Sequence, residues 1–429
     1  MSHRAGHEPS TEPVPVLSYT VLQAESLEAL NVLVAAAVAE GLTVIGPMTR
    51  GPTGAFLQAM GEGAPVAEPG GSYPMLVATG TNFGSQDELV PLSFNTTAGI
   101  GAAVGSSFSL SGIGYAGQIF GPYPLYAPGL MFLSCQDNNA SPADGTLIAF
   151  ALDGSTGLTK LTGEVVFDTT DANPTWPPAL ALAPDGKVYG FAADATGLYA
   201  VKAAEVSGGT LAQVGNTLTG DLPNVGQSKA ARVIDGHFCV AQGDANDGVN
   251  HVELHAYVFD GTDWTAGAVL DLTDAYTAFF GAEGCLIGIR STGRIIDVFT
   301  YTAASGFALA WSLDPATLSA TYDQPEMWLL DEATGYLWFG NSDVGYESGA
   351  FYVLDPNLGT GQFDLVASLE DIGQHRLYAL GLYGDVLFCN DVNYEGTYAH
   401  VRTGNTLGDA LPGGLTTYDS VVPLPLLEA

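Results

Sequence analysis

From residue 75 to residue 402 the chain repeats one pattern: a short apolar run, a loop rich in Asp, Asn and Gly, then a second run heavy in Tyr, Phe and Val. The first runs begin near Met75, Met131, Lys187, His237, Cys285, Tyr336 and Val386, at spacings of 56, 56, 50, 48, 51 and 50 residues. The second runs read ELVPLSF, GTLIAFAL, GLYAVKA, VELHAYVF, RIIDVFTY, GAFYVLD and TYAHVR. Short runs of β-branched and aromatic residues, punctuated by Gly, Asp and Asn, are strands. In several copies another apolar run ending in a turn comes first, as in PALALAPDG, AARVIDG and TAFFGAEG, and a polar-edged strand comes last. A unit of about four strands recurring every ~50 residues predicts a mainly β chain folded as a β-propeller of kelch-like blade length. Seven blades are expected, with six as the alternative.

The first unit lacks a leading strand, and an unattached apolar segment, Tyr418 to Ala429, ends the sequence. The propeller is therefore expected over 75–429, closed by a C-terminal strand within 415–429 that removes a free sheet edge. Pro423 and Pro425 count against that segment, because proline donates nothing to a ladder.

The pattern is different before residue 61. An extended run over 18–24 precedes Ser26, a good helix N-cap, and Leu27, Leu30, Val34, Ala37 and Val38 follow at helical spacing until Gly41. Two apolar runs, 42–48 and 55–60, flank the turn-prone Arg50-Gly51-Pro52-Thr53-Gly54. The expectation is a small α/β (βαββ) module over 17–60, preceded by a tail over 1–16 and followed by a Gly/Pro-rich linker over 61–74. The order Tyr19, Ser26, Leu30, Asn31, Gly41, Gly46 and Gln58-Ala59-Met60 resembles the small domain of unknown function DUF1737. Many members carry Trp after the helix-closing Gly, where this chain has Leu42. The resemblance covers about a tenth of the chain and implies a docking or adaptor role in phage particles, without catalysis. A module this small gains stability at an interface, and Val44, Ile45, Phe56 and Leu57 are the candidate docking contacts.

Composition narrows the partners. The 429 residues are 47% hydrophobic and 13% charged, enough to bury a large core. Net charge is −35, from 46 acidic residues against 11 Lys and Arg, so nucleic acid and anionic membrane surfaces are disfavoured. Such charge keeps many copies soluble and tolerates salt. The first 16 residues lack the apolar core of a secretory signal, and no apolar run reaches the ~20 residues of a membrane span. Cys135, Cys239, Cys285 and Cys389 each stand in an apolar strand without metal-ligand spacing, as buried free thiols would.

Chemistry-bearing patterns are sparse. The loops QDNNASPADG, GDANDGVN, NSDVGYESG and NDVNYEG are oxygen-rich candidates for Ca²⁺, although GDANDG fails the EF-hand spacing and solvated turns are the expectation. His251, Glu253 and His255 share one face of a strand, but alternate residues lie about 6.8 Å apart, so the two histidines stand too far apart for one zinc ion. An exposed strand face is expected there. Arg232 and Arg376 fall on inner strands, and Asp260-Gly261-Thr262-Asp263-Trp264 only loosely resembles an Asp-box, so a sialidase-type site is not expected. No Gly-x-Ser-x-Gly elbow or phosphate-binding Gly loop is present. No catalytic, cofactor or metal residue is therefore assigned.

These readings together predict a non-enzymatic structural protein of a tailed phage virion, present in multiple copies. Its N-terminal module would dock to other virion proteins, and its propeller would be displayed outward, in contact with host-surface glycan. The alternative is a carbohydrate-binding or glycan-processing propeller of cellular origin.

Overall fold

The structure is a computed structural model. It describes residues 19–24, 42–50, 56–62, 73–79, 88–95, 97–103, 108–109, 125–127, 129–137, 144–153, 157–168, 178–194, 196–222, 228–243, 252–318, 327–331, 335–342, 349–369, 375–383, 386–391, 396–415 and 420–423. The chain divides into two compact units, Met1–Pro69 and Gly70–Ala429.

In the first unit β1 (Tyr19–Ala24), β2 (Leu42–Arg50) and β3 (Phe56–Glu62) form an antiparallel sheet in the order β1-β3-β2. A register shift between Ile45 and Thr49 bends β2 against β3. The helix expected between Ser26 and Gly41 lies outside the described residues.

The second unit is mainly β, laid down as consecutive antiparallel sheets. The first holds β4 (Tyr73–Thr79), β5 (Glu88–Asn95), β6 (Gly99–Ala103) and β7 (Phe108–Ser109). Next come β8 (Leu125–Ala127), β9 (Leu130–Asp137) and β10 (Asp144–Asp153), with β11 (Gly157–Lys160) and β12 (Val165–Phe167) both paired to β10. Then follow β13 (Ala179–Leu182), β14 (Val188–Ala193), β15 (Leu198–Ser207) and β16 (Thr210–Asp221). The fourth group is β17 (Ser228–Ile234), β18 (His237–Gly243), β19 (Val252–Phe259) and β20 (Trp264–Leu272). The fifth is β21 (Tyr276–Ala282), β22 (Cys285–Arg290), β23 (Ile296–Thr302) and β24 (Gly306–Leu313). After a 3-10 turn at Pro315–Thr317, capped by the Asp314 carboxylate, come β25 (Met327–Leu330), β26 (Leu337–Ser342), β27 (Gly349–Asn357) and β28 (Gln362–Leu369). Last are β29 (His375–Tyr383), β30 (Val386–Asp391), β31 (Gly396–Thr403), β32 (Thr406–Leu415) and β33 (Ser420–Pro423).

The apolar runs read from the sequence are β4, β9, β14, β18, β22, β26 and β30, each starting within two residues of its expected place. The C-terminal β33 pairs antiparallel with β4, Ser420 opposite Ala78 and Pro423 opposite Met75. Strand β32 meets β6 through a parallel bridge, Gly413 opposite Gly99.

The core lies between successive sheets. Phe132, Leu147 and Phe167 pack on Leu180, Val188 and Ala200; Phe191 and Val201 on Phe238 and Tyr257; Leu254 and Ala256 on Phe279 and Phe299. Ile287 and Val298 then meet Phe339 and Tyr352, Trp338 and Val353 meet Leu387, and Phe388 meets Phe94. A sheet packed on both faces needs strands that are apolar throughout. Accordingly every residue of β14 is buried, whereas most of β16 is exposed. Each fully buried Phe or Leu contributes roughly 1.5–3 kcal/mol relative to exposure.

Candidate functional site

Near the start of β19, where the 244–251 connection enters the sheet, Glu253 and His255 point toward the β13–β16 sheet. They are 7% and 6% exposed, so the expected open strand face is corrected: Glu253 and His255 are buried between two sheets. Periodicity had put both residues on one face correctly, but both faces of this strand are covered. His251 lies outside the described residues.

Glu253 Oε2 and His255 Nε2 are 3.0 Å apart. An ionised carboxylate only accepts, so the imidazole donates from Nε2. The His255 ring stacks on Tyr257 with centroids 6.2 Å apart, and Tyr257 faces Tyr199 of β15 at 6.0 Å. Phe191 stacks on Tyr199 from behind. Burial, reinforced by Tyr199 and Glu253, pushes the Tyr257 phenol far above its ordinary value. Gln242, 2% exposed, sits directly across from Glu253 on β18, and Asp271 across from it on β20. A carboxylate, an imidazole oriented by it, an amide and two phenols therefore meet between the two sheets. That set can accept and donate hydrogen bonds and move a proton, with ring faces for apolar contact.

A second polar group occupies the corresponding end of the next sheet. Asp297, fully buried at the start of β23, accepts from Tyr276 Oη at 2.6 Å, Arg290 Nε at 2.6 Å and Ser312 Oγ at 2.6 Å, and from a second Arg290 nitrogen at 3.0 Å. All four strands of the β21–β24 sheet contribute to this group. Arg290 also meets the half-exposed Asp274 at 2.9 Å. Burial, then the bond to Asp297, raises the Tyr276 phenol. Sequence reasoning passed over this cluster, although a charged residue inside the apolar run IIDVFTY was a signal that a buried partner was needed.

Other candidates take plainer places. Asp260 Oδ1 accepts from the Thr262 and Asp263 amides at 2.8 and 2.7 Å, so the Asp-box-like segment is a hairpin turn between β19 and β20. Arg232 is on β17 and Arg376 on β29, the first strands of their sheets. Val44 and Ile45 lie on β2, Phe56 and Leu57 on β3, and their side chains fall outside the described residues. Cys135, Cys239 and Cys285 are buried free thiols. Among the described residues no cluster of three or more His, Cys, Asp or Glu could hold a metal ion, and no helix is long and apolar enough to cross a membrane. The acidic segments 138–143, 244–250, 343–348 and 392–395 lie outside the described residues.

No family model and no curated protein matches the chain. Solved structures do. A candidate 6-phosphogluconolactonase from Bacteroides uniformis aligns over 82% of this chain and 98% of its own, at 16% identity and TM-score 0.53. A protein from Lactobacillus plantarum aligns over 82% and 99%, at 16% identity and TM-score 0.49. A candidate 6-phosphogluconolactonase from Bacteroides fragilis aligns over 85% and 98%, at 14% identity and TM-score 0.46. With the successive four-stranded sheets, the first match defines a β-propeller-like protein.

These comparisons correct the functional expectation. The phage virion reading is overturned: the structure that the large unit resembles is described as a candidate 6-phosphogluconolactonase of a bacterium and not as a phage structural protein. The N-terminal module spans about a tenth of the chain and does not determine what the remainder does, and a propeller hosts many functions.

Proposed function

We propose that this chain is a seven-bladed β-propeller of cellular type that binds a carbohydrate or sugar-derived small molecule where Glu253, His255, Tyr257 and Tyr199 meet. The observation that carries the reading is the buried Glu253–His255 hydrogen bond walled by the Tyr257 and Tyr199 rings. Carboxylate and imidazole suit sugar hydroxyls. The description of the Bacteroides uniformis protein as a candidate 6-phosphogluconolactonase is in keeping with the same ligand class. Seven blades follow if β33, β4, β5 and β6 count as one sheet, joined to the next by β32. The unit Met1–Pro69 is then a separate module of the DUF1737 kind.

An enzymatic form of this reading rests on the same pair. Glu253 fixes the His255 tautomer, as the carboxylate of a catalytic dyad does. His255 would take a proton from water as its oxygen attacks a lactone carbonyl. The ring C–O bond then breaks, and the proton passes to the departing alkoxide.

The test uses the full chain on an array of neutral glycans and in a gluconolactone hydrolysis assay, beside the near-isosteric Glu253→Gln and His255→Asn variants. Binding or hydrolysis by the parent is expected to fall at least tenfold in both variants, on the order of one lost charge-assisted hydrogen bond, with melting temperature retained in Glu253→Gln. A parent chain that binds no glycan and leaves the lactone to hydrolyse at the buffer rate sinks the proposal.

A further inference from the structure

The connection between the second and third strands is acidic or uncharged in the other sheets of the large unit, as in QDNNASPADG, GDANDGVN, NSDVGYESG and NDVNYEG. In the β21–β24 sheet the same connection reads Arg290-Ser291-Thr292-Gly293-Arg294. Two of the chain's 11 cationic residues therefore stand on one short turn, at the end of the sheet where its neighbours carry Asp and Glu.

The two arginines differ in their partners. Arg290 is clamped by the fully buried Asp297 and by Asp274. Arg294 makes no salt bridge among the described residues, in a chain with 46 acidic groups; its one hydrogen bond there runs from a guanidinium nitrogen to Thr277 Oγ1 at 3.3 Å. The backbone of Arg294 is left-handed, φ 53°, a conformation rare for a long side chain and natural for glycine. In the same turn, Ser291 Oγ is buried without a hydrogen-bond partner among the described residues. Retaining a strained arginine where glycine would relax the turn points to a use for the side chain.

We infer that the Arg290–Arg294 turn is an oxyanion site, in which Arg294, beside the Thr277 hydroxyl, takes the carboxylate or phosphoryl group of a small ligand. Arg290 is neutralised by Asp297 and Asp274, which leaves the planar Arg294 guanidinium, without a carboxylate partner among the described residues, to donate two parallel hydrogen bonds to one oxyanion. The overall charge of −35 repels polyanions, yet one guanidinium without a carboxylate partner among the described residues suits a ligand with a single anionic group. The inference rests on the carbohydrate proposal only for the ligand's sugar portion; the oxyanion portion stands on the turn itself.

Calorimetric titration of the full chain with inorganic phosphate, with gluconate and with glucose tests it. At least one of the two anions is expected to bind, with an affinity that falls as salt rises, and which of them does separates a phosphoryl from a carboxylate site. Arg294→Gly removes the guanidinium and relaxes the backbone. It should weaken anion binding at least tenfold, about one lost bidentate contact, while the melting temperature stays level or rises. Absence of binding by both anions, or an Arg294→Gly chain that binds them like the parent, overturns the site. Glucose bound while both anions fail overturns the oxyanion site and leaves the carbohydrate reading standing; anions bound while no glycan or lactone is recognised does the reverse.

Discussion

Asp297 shows how one residue can tie a sheet together. A carboxylate with no solvent exposure is tolerated only when its lone pairs are filled, and here two hydroxyls and a guanidinium fork fill them. Removing the carboxylate leaves Arg290, beside a buried phenol, with only the half-exposed Asp274 as a counter-charge. Asp297→Ala is therefore expected to lower stability by about 3–5 kcal/mol in urea melts, and Asp297→Asn by less, because the amide keeps one acceptor. Equal losses from both would mean that the charge, which both variants remove, governs the site, and that the retained amide acceptor and side-chain volume count for nothing. Lys202 illustrates a milder compromise: burial lowers its ammonium below the ordinary lysine value, and Nζ donates to Val166 O at 2.6 Å, which pins β12 to β15.

Strands acquire their roles from their place in the sheet. Second strands such as β14 and β22 read as unbroken apolar runs because neighbouring sheets cover both faces, and this made them the easiest elements to find. Fourth strands such as β16 and β24 are largely exposed and carry no Lys along their outer edge. Their protection comes from bulges: register shifts occur at Val201/Ala203, His255/Tyr257, Val298/Phe299 and Val353/Leu354, where third and fourth strands pair. Each bulge twists the edge away from flat pairing with another chain. First strands approach one another closely instead. A Cβ on Gly281 of β21 would sit 2.3 Å from the Ala231 carbonyl oxygen of β17, and main chain cannot yield as a side chain can. Gly281→Ala should cost roughly 1–3 kcal/mol, visible as a lowered thermal midpoint; an unchanged midpoint would show that the two strands can part.

At the scale of the whole molecule, titration and chain closure make the forecasts. Burial raises the phenols of Tyr189, Tyr199, Tyr257, Tyr276 and Tyr301 above the unfolded value of 10.0. A raised folded value means that the native state holds these protons more tightly than the unfolded chain. The associated stability is complete below pH 10 and is lost as pH climbs above it. Melting temperature should accordingly fall steeply above pH 10, and Tyr257→Phe with Tyr276→Phe should shallow that fall. A parallel decline in parent and double variant would assign alkaline unfolding to other groups. Deleting 416–429 removes β33 and leaves β4 with one unpaired edge, so the shortened chain is expected to aggregate or lose its cooperative melt. A soluble deletion with an unaltered melt would show that β33 is dispensable.

Hydrophobic patterning along the sequence determined the strand repeat, the order of strands within each sheet and the positions of the second and third strands to within a few residues. These features follow from local alternation and turn chemistry, which act over a few residues. Face sharing was legible too, since Glu253 and His255 fall two residues apart on one strand. Only the tertiary structure decided what lies opposite that face. Burial of the Glu253–His255 pair against Tyr257 and Tyr199, and convergence of Tyr276, Arg290 and Ser312 on Asp297, join residues from different strands or different sheets. Whether a polar side chain meets water or a partner depends on which sheet packs over it, and that is a property of the assembled layers that no local pattern encodes.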